Sequence, residues 1–326
     1  MSRPILFQTG PMMAMIEKQL RDSFEVHTIW NATDPEKLIC DVGPNVRGIA
    51  TSAFSNTGRE LIDACPKLEI ISSFGVGYNT VDAPHAANKN VIVTNTPDVL
   101  TEEVADTAWG LLLMTVRELS AAERHLRSEG WLQGPYPLTR GTLQNKRIGI
   151  AGLGRIGKAI ARRAVASGLK ISYFGRNKQS DLNWPFYNDL ETMARNVDIL
   201  LAVLPGGNAT DRIIGQSVLQ ALGPDGILIN VGRGTAVDET ALIQALKSET
   251  IMSAGLDVFE NEPKVPQSLM DLNNVVLLPH VGSASVHTRD AMGQLVVDNL
   301  RSWFKSGQPL TPVAETPFDG EQNNAP

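Results

Sequence analysis

The stretch "RIGIAGLGRIGKAIARR", residues 147–163, decides the fold. It opens as a short apolar run suited to a buried strand, passes through Gly152, Gly154 and Gly157 in G-x-G-x-x-G spacing, and continues at helical periodicity. Gly152 permits the tight turn, Gly154 lets the backbone approach a pyrophosphate, and Gly157 lets helix and strand pack closely. The N–H groups of Arg155 and Ile156 then face phosphate oxygens at the positive end of the helix. Glycine turns alone are weak evidence. A strand before, a helix after and further strands downstream point to a dinucleotide site.

Outward from this loop, six apolar runs follow one another: "RIGIAG", "KISYF", "DILLAVL", "GILINV", "IMSAGLD" and "VVLLP". Six strands with helices between them suit a doubly wound nucleotide fold. Upstream, strands are predicted near residues 4–9, 25–30, 47–51, 68–73 and 91–94, which makes a second, smaller α/β sheet. After Pro97, Thr101-Glu102-Glu103 opens a long helix, with a hydroxyl at the cap and two carboxylates at its positive end. Val104, Ala108, Leu111, Leu112, Thr115 and Leu119 follow at helical spacing. Residues 128–145, "SEGWLQGPYPLTRGTLQN", form a long loop, either a flexible excursion or an arm that wraps a second subunit. Residues 286–305 read as another amphipathic helix, and the polar tail from Gly307 as a segment of little regular structure.

At 326 residues the chain exceeds what one core usually organises, so two domains are expected. Apolar residues at 42% and charged residues at 20% describe an ordinary globular protein. A net charge of −6 argues against general nucleic-acid binding, which needs clustered cations. Cys40 and Cys65 cannot build a disulfide framework and lack metal-ligand spacing, so both are expected to be small buried hydrophobes, with no metal site. Ahead of Gly10-Pro11, which breaks the apolar run, the N-terminal stretch has one basic residue, Arg3, unlike a secretory signal. No window reaches the roughly 18 apolar residues of a membrane-spanning helix. The expectation is a cytoplasmic protein acting on small molecules, without nucleic-acid or membrane partners.

In "ISYFGRNKQS", residues 171–180, the second strand of the nucleotide fold ends in Gly175, near the position where an acid binds the 2′-hydroxyl of NAD. Arg176, Asn177 and Lys178 follow, and no acid is present. Losing the carboxylate removes repulsion against a 2′-phosphate, and Arg176 and Lys178 offer it charge-assisted hydrogen bonds. A solvated turn is the plain alternative. The missing acid and the added cations point the same way, to NADP(H) in preference to NAD(H).

Further along, "NVGRG" (230–234), "GLDVFENEP" (255–263) and "PHVGSAS" (279–285) set Arg233, Glu262 and His280 just beyond successive strands. With this order the chain resembles the D-isomer-specific 2-hydroxyacid dehydrogenases, and within them the glyoxylate/hydroxypyruvate reductase branch and the related hydroxyphenylpyruvate reductases. The likeness runs from about residue 45 to residue 305. It implies an α/β fold of two Rossmann-like domains. A smaller flavodoxin-like substrate domain comprises residues 1–98 and 286–326, and a doubly wound NADP-binding domain, residues 99–285, is inserted into it. It also implies an active site in the cleft and a homodimer.

Reducing a 2-oxo acid requires a hydride from the nicotinamide, a proton for the carbonyl oxygen and a cation to hold and polarise the substrate. On the resemblance, His280 donates the proton, Glu262 holds its imidazole, and Arg233 binds the oxo-carboxylate. Singly, each also reads as structural: a loop histidine, a surface carboxylate, a cap or ion-pair arginine. "SSFGVGYNTVD" (72–82) offers the N–H groups of Gly75, Val76 and Gly77 to the substrate carboxylate, or is an ordinary turn. The resemblance sets Thr107, Val231, Asp257 and Gly282 at the nicotinamide end, where Asp257 either accepts from the carboxamide or caps a helix. Leu204, Pro205 and Thr210, in "LPGGNAT", fall on the adenosine side, where the family's common segment is "LPLT". Trp131 resembles an aromatic residue that reaches the neighbouring subunit's substrate pocket, with packing of the arm as the alternative. The implied function is NADPH-dependent reduction of glyoxylate and hydroxypyruvate. A reductase of aromatic 2-oxo acids and a dinucleotide-sensing scaffold, similar to the family's transcriptional corepressors, are the other readings.

Overall fold

The computed structural model describes residues 3–318. The chain divides into two compact units: one holds the chain up to Leu100 and again from Ser285, and the other is Thr101–Ala284.

In the first unit, β1 (Ile5–Gln8), β2 (Glu25–Thr28), β3 (Val46–Ser52), β4 (Ile70–Phe74) and β5 (Ile92–Thr94) make a parallel sheet in the order β2-β1-β3-β4-β5. This is the flavodoxin-like order. The helices are α1 (Ala14–Ser23), α2 (Pro35–Val42), α3 (Arg59–Asp63) and α4 (Ala83–Asn88). Phe7, Ile49, Ile71 and Val93 alternate into a core shared with Ile62 and Ala86, because strands of a parallel sheet must bury their apolar side chains against helices. The segment Val286–Ser306, numbered α12 below, returns to this unit and packs against β4 and α1. Ser285 caps it by accepting from the Thr288 N–H, and the Ser72 hydroxyl donates to Val296 O at 3.3 Å. Past α12 the chain has no helix or strand up to Phe318, yet it is fastened. Pro312 bridges Thr94, and the Val93 N–H donates to Thr316 Oγ1 at 3.0 Å. Residues 319–326 of that tail lie outside the described residues.

The second unit holds β6 (Arg147–Ala151), β7 (Lys170–Phe174), β8 (Phe186–Tyr187), β9 (Ile199–Ala202), β10 (Ile227–Asn230), β11 (Ser253–Leu256) and β12 (Val275–Leu277). All pair in parallel in the order β12-β11-β10-β9-β6-β7-β8. Counted within the unit this is the 3-2-1-4-5-6 dinucleotide order with one strand added at the far edge. Seven strands stand where six were expected. The strand that the apolar runs did not reveal, β8, is two residues long, too short to leave an alternation in the sequence.

The helices of this unit are α5 (Thr101–Val116), α6 (Leu119–Arg127), α7 (Arg155–Ala166), α8 (Leu190–Arg195), α9 (Gln216–Leu222), α10 (Glu239–Lys247) and α11 (Gln267–Met270). The helix expected to run through Leu119 stops at Val116. Glu118 takes a left-handed φ of 52° while its carboxylate accepts from the Tyr136 hydroxyl at 2.9 Å, and Leu119 begins α6 exposed. No Gly or Pro announces that break. The loop after α6 contains one 3-10 turn, Gly130–Leu132, and exposes Trp131 (67%), Leu132 (85%) and Leu138 (100%). One of the two cysteines differs from expectation. Cys65 is buried, which pushes its thiol pKa up to about 12, but Cys40 is exposed because α2 turns Leu38 and Ile39 inward and buries no residue fully. Among the described residues no helix is long and apolar enough to cross a membrane.

Candidate active site

Carboxyl ends of parallel strands are where α/β sheets place ligands, and in the second unit most predicted residues lie there. Gly152 follows β6, Gly175 follows β7, Leu204 and Pro205 follow β9, Val231 and Arg233 follow β10, Asp257 follows β11, and His280 follows β12.

Gly152 adopts φ +99°, which an L side chain rarely accepts, and a Cβ there would meet Val203 O at 2.8 Å. A Cβ on Gly157 would lie 2.2 Å from Gly152 O, so the loop and α7 pack too closely for alanine. Gly154 differs: it caps α7 without a side-chain acceptor, and a Cβ there would meet nothing within 4 Å. The first N–H groups of α7, including Arg155, Ile156 and Gly157, have no acceptor inside the helix. Open space before such a helix end suits a pyrophosphate. Gly175 has open space too, and Arg176, Asn177 and Lys178 are exposed with no ion-pair partner among the described residues. Leu204 is buried in the core, Pro205 is exposed, and the Thr210 hydroxyl donates to Pro205 O at 2.7 Å, closing its own loop.

His280 and Glu262 are brought together. His280 Nδ1 lies 2.7 Å from Glu262 Oε2, while Glu262 Oε1 accepts from the Phe259 N–H at 3.0 Å. Burial pushes the Glu262 carboxyl up, but the His280 hydrogen bond, the Phe259 N–H and the nearby charges of His280 and Arg233 outweigh it and hold the pKa below its ordinary value. The anion is therefore the stable form, and the imidazole donates Nδ1–H to it. Burial lowers the Arg233 guanidinium pKa, with the Glu262 charge opposing. Its Nη1 donates to Gly232 O at 2.7 Å.

The backbone is fixed closely around these side chains. His280 has a left-handed φ of 52°, uncommon for a residue with a side chain. Asp257 holds it there: its carbonyl accepts from the His280 N–H, and its carboxylate accepts from Val281 N–H at 2.7 Å and Gly282 N–H at 2.9 Å. Asp257 is 2% exposed, and burial raises its pKa against those two bonds. It caps no helix; it fastens the histidine loop. Thr107, on α5, donates its hydroxyl to Gly282 O at 3.2 Å and fastens the same loop. The Arg233 turn is held by Asn230, whose amide donates to Arg233 O and accepts from the Gly232 N–H. A Cβ on Gly234 would lie 1.9 Å from the Phe259 backbone, so the arginine turn abuts the turn that leads to Glu262.

In the first unit, Gly75 follows β4 at φ +142°. Its N–H is engaged by Thr96 Oγ1 at 3.0 Å, so of the three donors proposed there it is not free for an anion. Val76 and Gly77 have N–H groups without a partner among the described residues, while Val76 O accepts from Asn95. Thr96, Asn95 and Asn230 were missed because their signal is only a polar residue after an apolar strand, common to many loops. Among the described residues no group of three or more metal-capable side chains exists.

Comparison with known proteins follows the same lines. A family model described as "D-isomer specific 2-hydroxyacid dehydrogenase, NAD binding domain" matches residues 109–282. A hydroxyphenylpyruvate reductase of Plectranthus scutellarioides is 45% identical, and a glyoxylate/hydroxypyruvate reductase of Arabidopsis thaliana 44%; each alignment covers 93% of this chain and 96% of the relative. Among solved structures, an NADPH-dependent glyoxylate/hydroxypyruvate reductase of Sinorhizobium meliloti in complex with NADP and malonate superposes with a TM-score of 0.93. It is 50% identical, with coverage of 97% of this chain and 98% of that one.

Proposed function

We propose that this chain, which belongs to the D-isomer-specific 2-hydroxyacid dehydrogenases, reduces glyoxylate and hydroxypyruvate with NADPH, using His280 as the general acid. The single observation that supports the acid role is the 2.7 Å contact between His280 Nδ1 and an ionised Glu262. It orients the ring so that Nε2–H can protonate a developing alkoxide, a step worth about 10²–10⁴ in rate. Arg233 supplies a fixed cation beside that pair, suited to a 2-oxo acid's carboxylate and to charge developing on its carbonyl oxygen. In the first unit, Val76 and Gly77 are proposed donors to a substrate carboxylate.

NADPH, when bound, supplies the hydride. The open space at Gly154 and at Gly175 fits a dinucleotide, Arg155 and Ile156 offer N–H groups to its pyrophosphate, and Arg176 and Lys178 offer charge to a 2′-phosphate. The S. meliloti reductase, described as NADPH-dependent, supports that choice. Val231, Asp257, Thr107 and Gly282 shape the end of the site around His280. The exposed Trp131, Leu132 and Leu138 support a homodimer in which this arm is covered, and two unpaired cysteines suit a reducing cytoplasm.

Aromatic 2-oxo acids form the second reading, favoured by the hydroxyphenylpyruvate reductase at 45% identity. Initial rates with NADPH and NADH, using glyoxylate, hydroxypyruvate and phenylpyruvate, test both readings. Strong turnover of the small acids with NADPH supports the first. A preference for phenylpyruvate moves the assignment to the aromatic branch, and cofactor binding without turnover moves it to a dinucleotide-sensing scaffold.

A further inference from the structure

We propose that Gln179 is a positioning residue for cofactor choice: it fastens the loop bearing Arg176, Asn177 and Lys178 to the glycine loop, so that the two cations are held ready for a 2′-phosphate. This rests on the NADPH reading above. The Gln179 amide nitrogen donates to Leu153 O at 2.8 Å, and Leu153 stands between Gly152 and Gly154. The Gln179 backbone N–H donates to the Tyr173 hydroxyl, also at 2.8 Å. Tyr173 is fully buried in β7 and packs against Phe186 of β8 with ring centroids 5.3 Å apart. A buried tyrosine needs a partner for its hydroxyl, and here that partner is the loop itself. The far end of the loop, at Gln179, is thus tied both to the sheet interior and to the phosphate cradle.

The sheet does not require these ties. Strand β7 keeps its register with β6 and β8 through the backbone. What the ties fix is the path of the three residues between Gly175 and Gln179. Arg176 and Lys178 are exposed, long side chains, and ordering them on a phosphate costs conformational entropy, as does ordering a loose loop beneath them. A loop already held loses less on binding, so preorganisation raises affinity without adding a contact. NADH has no 2′-phosphate and gains nothing from the cations. Gln179 therefore acts on the ratio of the two affinities. A second tie, Lys158 to Asp181 at 3.6 Å, spans the same region but is exposed and weak.

The test is calorimetric titration of NADPH and NADH into the wild type, Gln179→Met and Tyr173→Phe, with thermal unfolding to establish that each is folded. Met matches the size of Gln but cannot donate to Leu153 O; Phe keeps the ring and removes the hydroxyl. Losing one such hydrogen bond is expected to reduce the NADPH-over-NADH affinity ratio by about five- to tenfold in Gln179→Met, with NADH affinity nearly unchanged. Tyr173→Phe should shift the ratio in the same direction. Equal losses for both cofactors, or no change, would overturn the proposal and leave the NADPH reading intact. A wild type that binds both equally would overturn both.

Discussion

At the scale of single residues, the proposed chemistry is tested at His280 and Glu262. His280→Ala is expected to lower kcat by about 10²–10⁴ while NADPH affinity stays near wild type; single-turnover rates with a parallel binding titration check it. For Glu262 the sign follows from its depressed pKa. A carboxylate held below its ordinary value of 4.5 in the folded state stabilises the fold above that pH, and this contribution is lost as pH falls through the folded pKa. Glu262→Gln should therefore show a flatter decline of Tm than wild type below about pH 4.5, the reference value for this group; parallel Tm profiles would remove the assignment. Arg176→Ala should weaken NADPH about tenfold more than NADH, since a charge-assisted bond to phosphate is roughly twice an ordinary one. Arg233, Glu262 and His280 were legible through the order of "NVGRG", "GLDVFENEP" and "PHVGSAS" and the family resemblance those motifs carry, since singly each reads as structural. Asp257 was only half legible. Its position after β11 marked it, but its acceptors' use by Val281 and Gly282 depends on how the loop folds back, which no local pattern records.

At the scale of elements, the site is a set of strand ends whose loops are tied to one another. The loop after β12 is the most constrained, with a left-handed histidine held by Asp257 and by Thr107 from α5. Asp257→Ala leaves two N–H groups without their acceptor and should cost about 2–6 kcal/mol of stability, because each loss is about 1–3 kcal/mol when buried. Denaturant unfolding measures the cost, and kcat should fall with it as His280 loses its orientation; unchanged unfolding would mean that the loop is held by other means. Strand content of this unit could be read from six apolar runs, and the glycine loop from its spacing. Strand β8 and the break before α6 could not. The first is too short for periodicity, and the second rests on one residue, Glu118, in a conformation that its sequence neighbours do not demand.

At the scale of the molecule, the exposed arm and the division into two units set the remaining behaviour. Replacing Leu132 and Leu138 with Asp should convert the proposed dimer to a monomer in light scattering, as charges placed in a covered apolar contact oppose association. The second unit is continuous in sequence, whereas the first draws α12 and the fastened segment through Thr316 from the far end of the chain. On a ribosome, that order means the nucleotide-binding sheet has all of its residues available while the earlier sheet still waits for its closing helix. A nascent or truncated chain ending near residue 284 would thus present an unfinished N-terminal sheet, with the face of β4 that α12 covers open to chaperones and proteases.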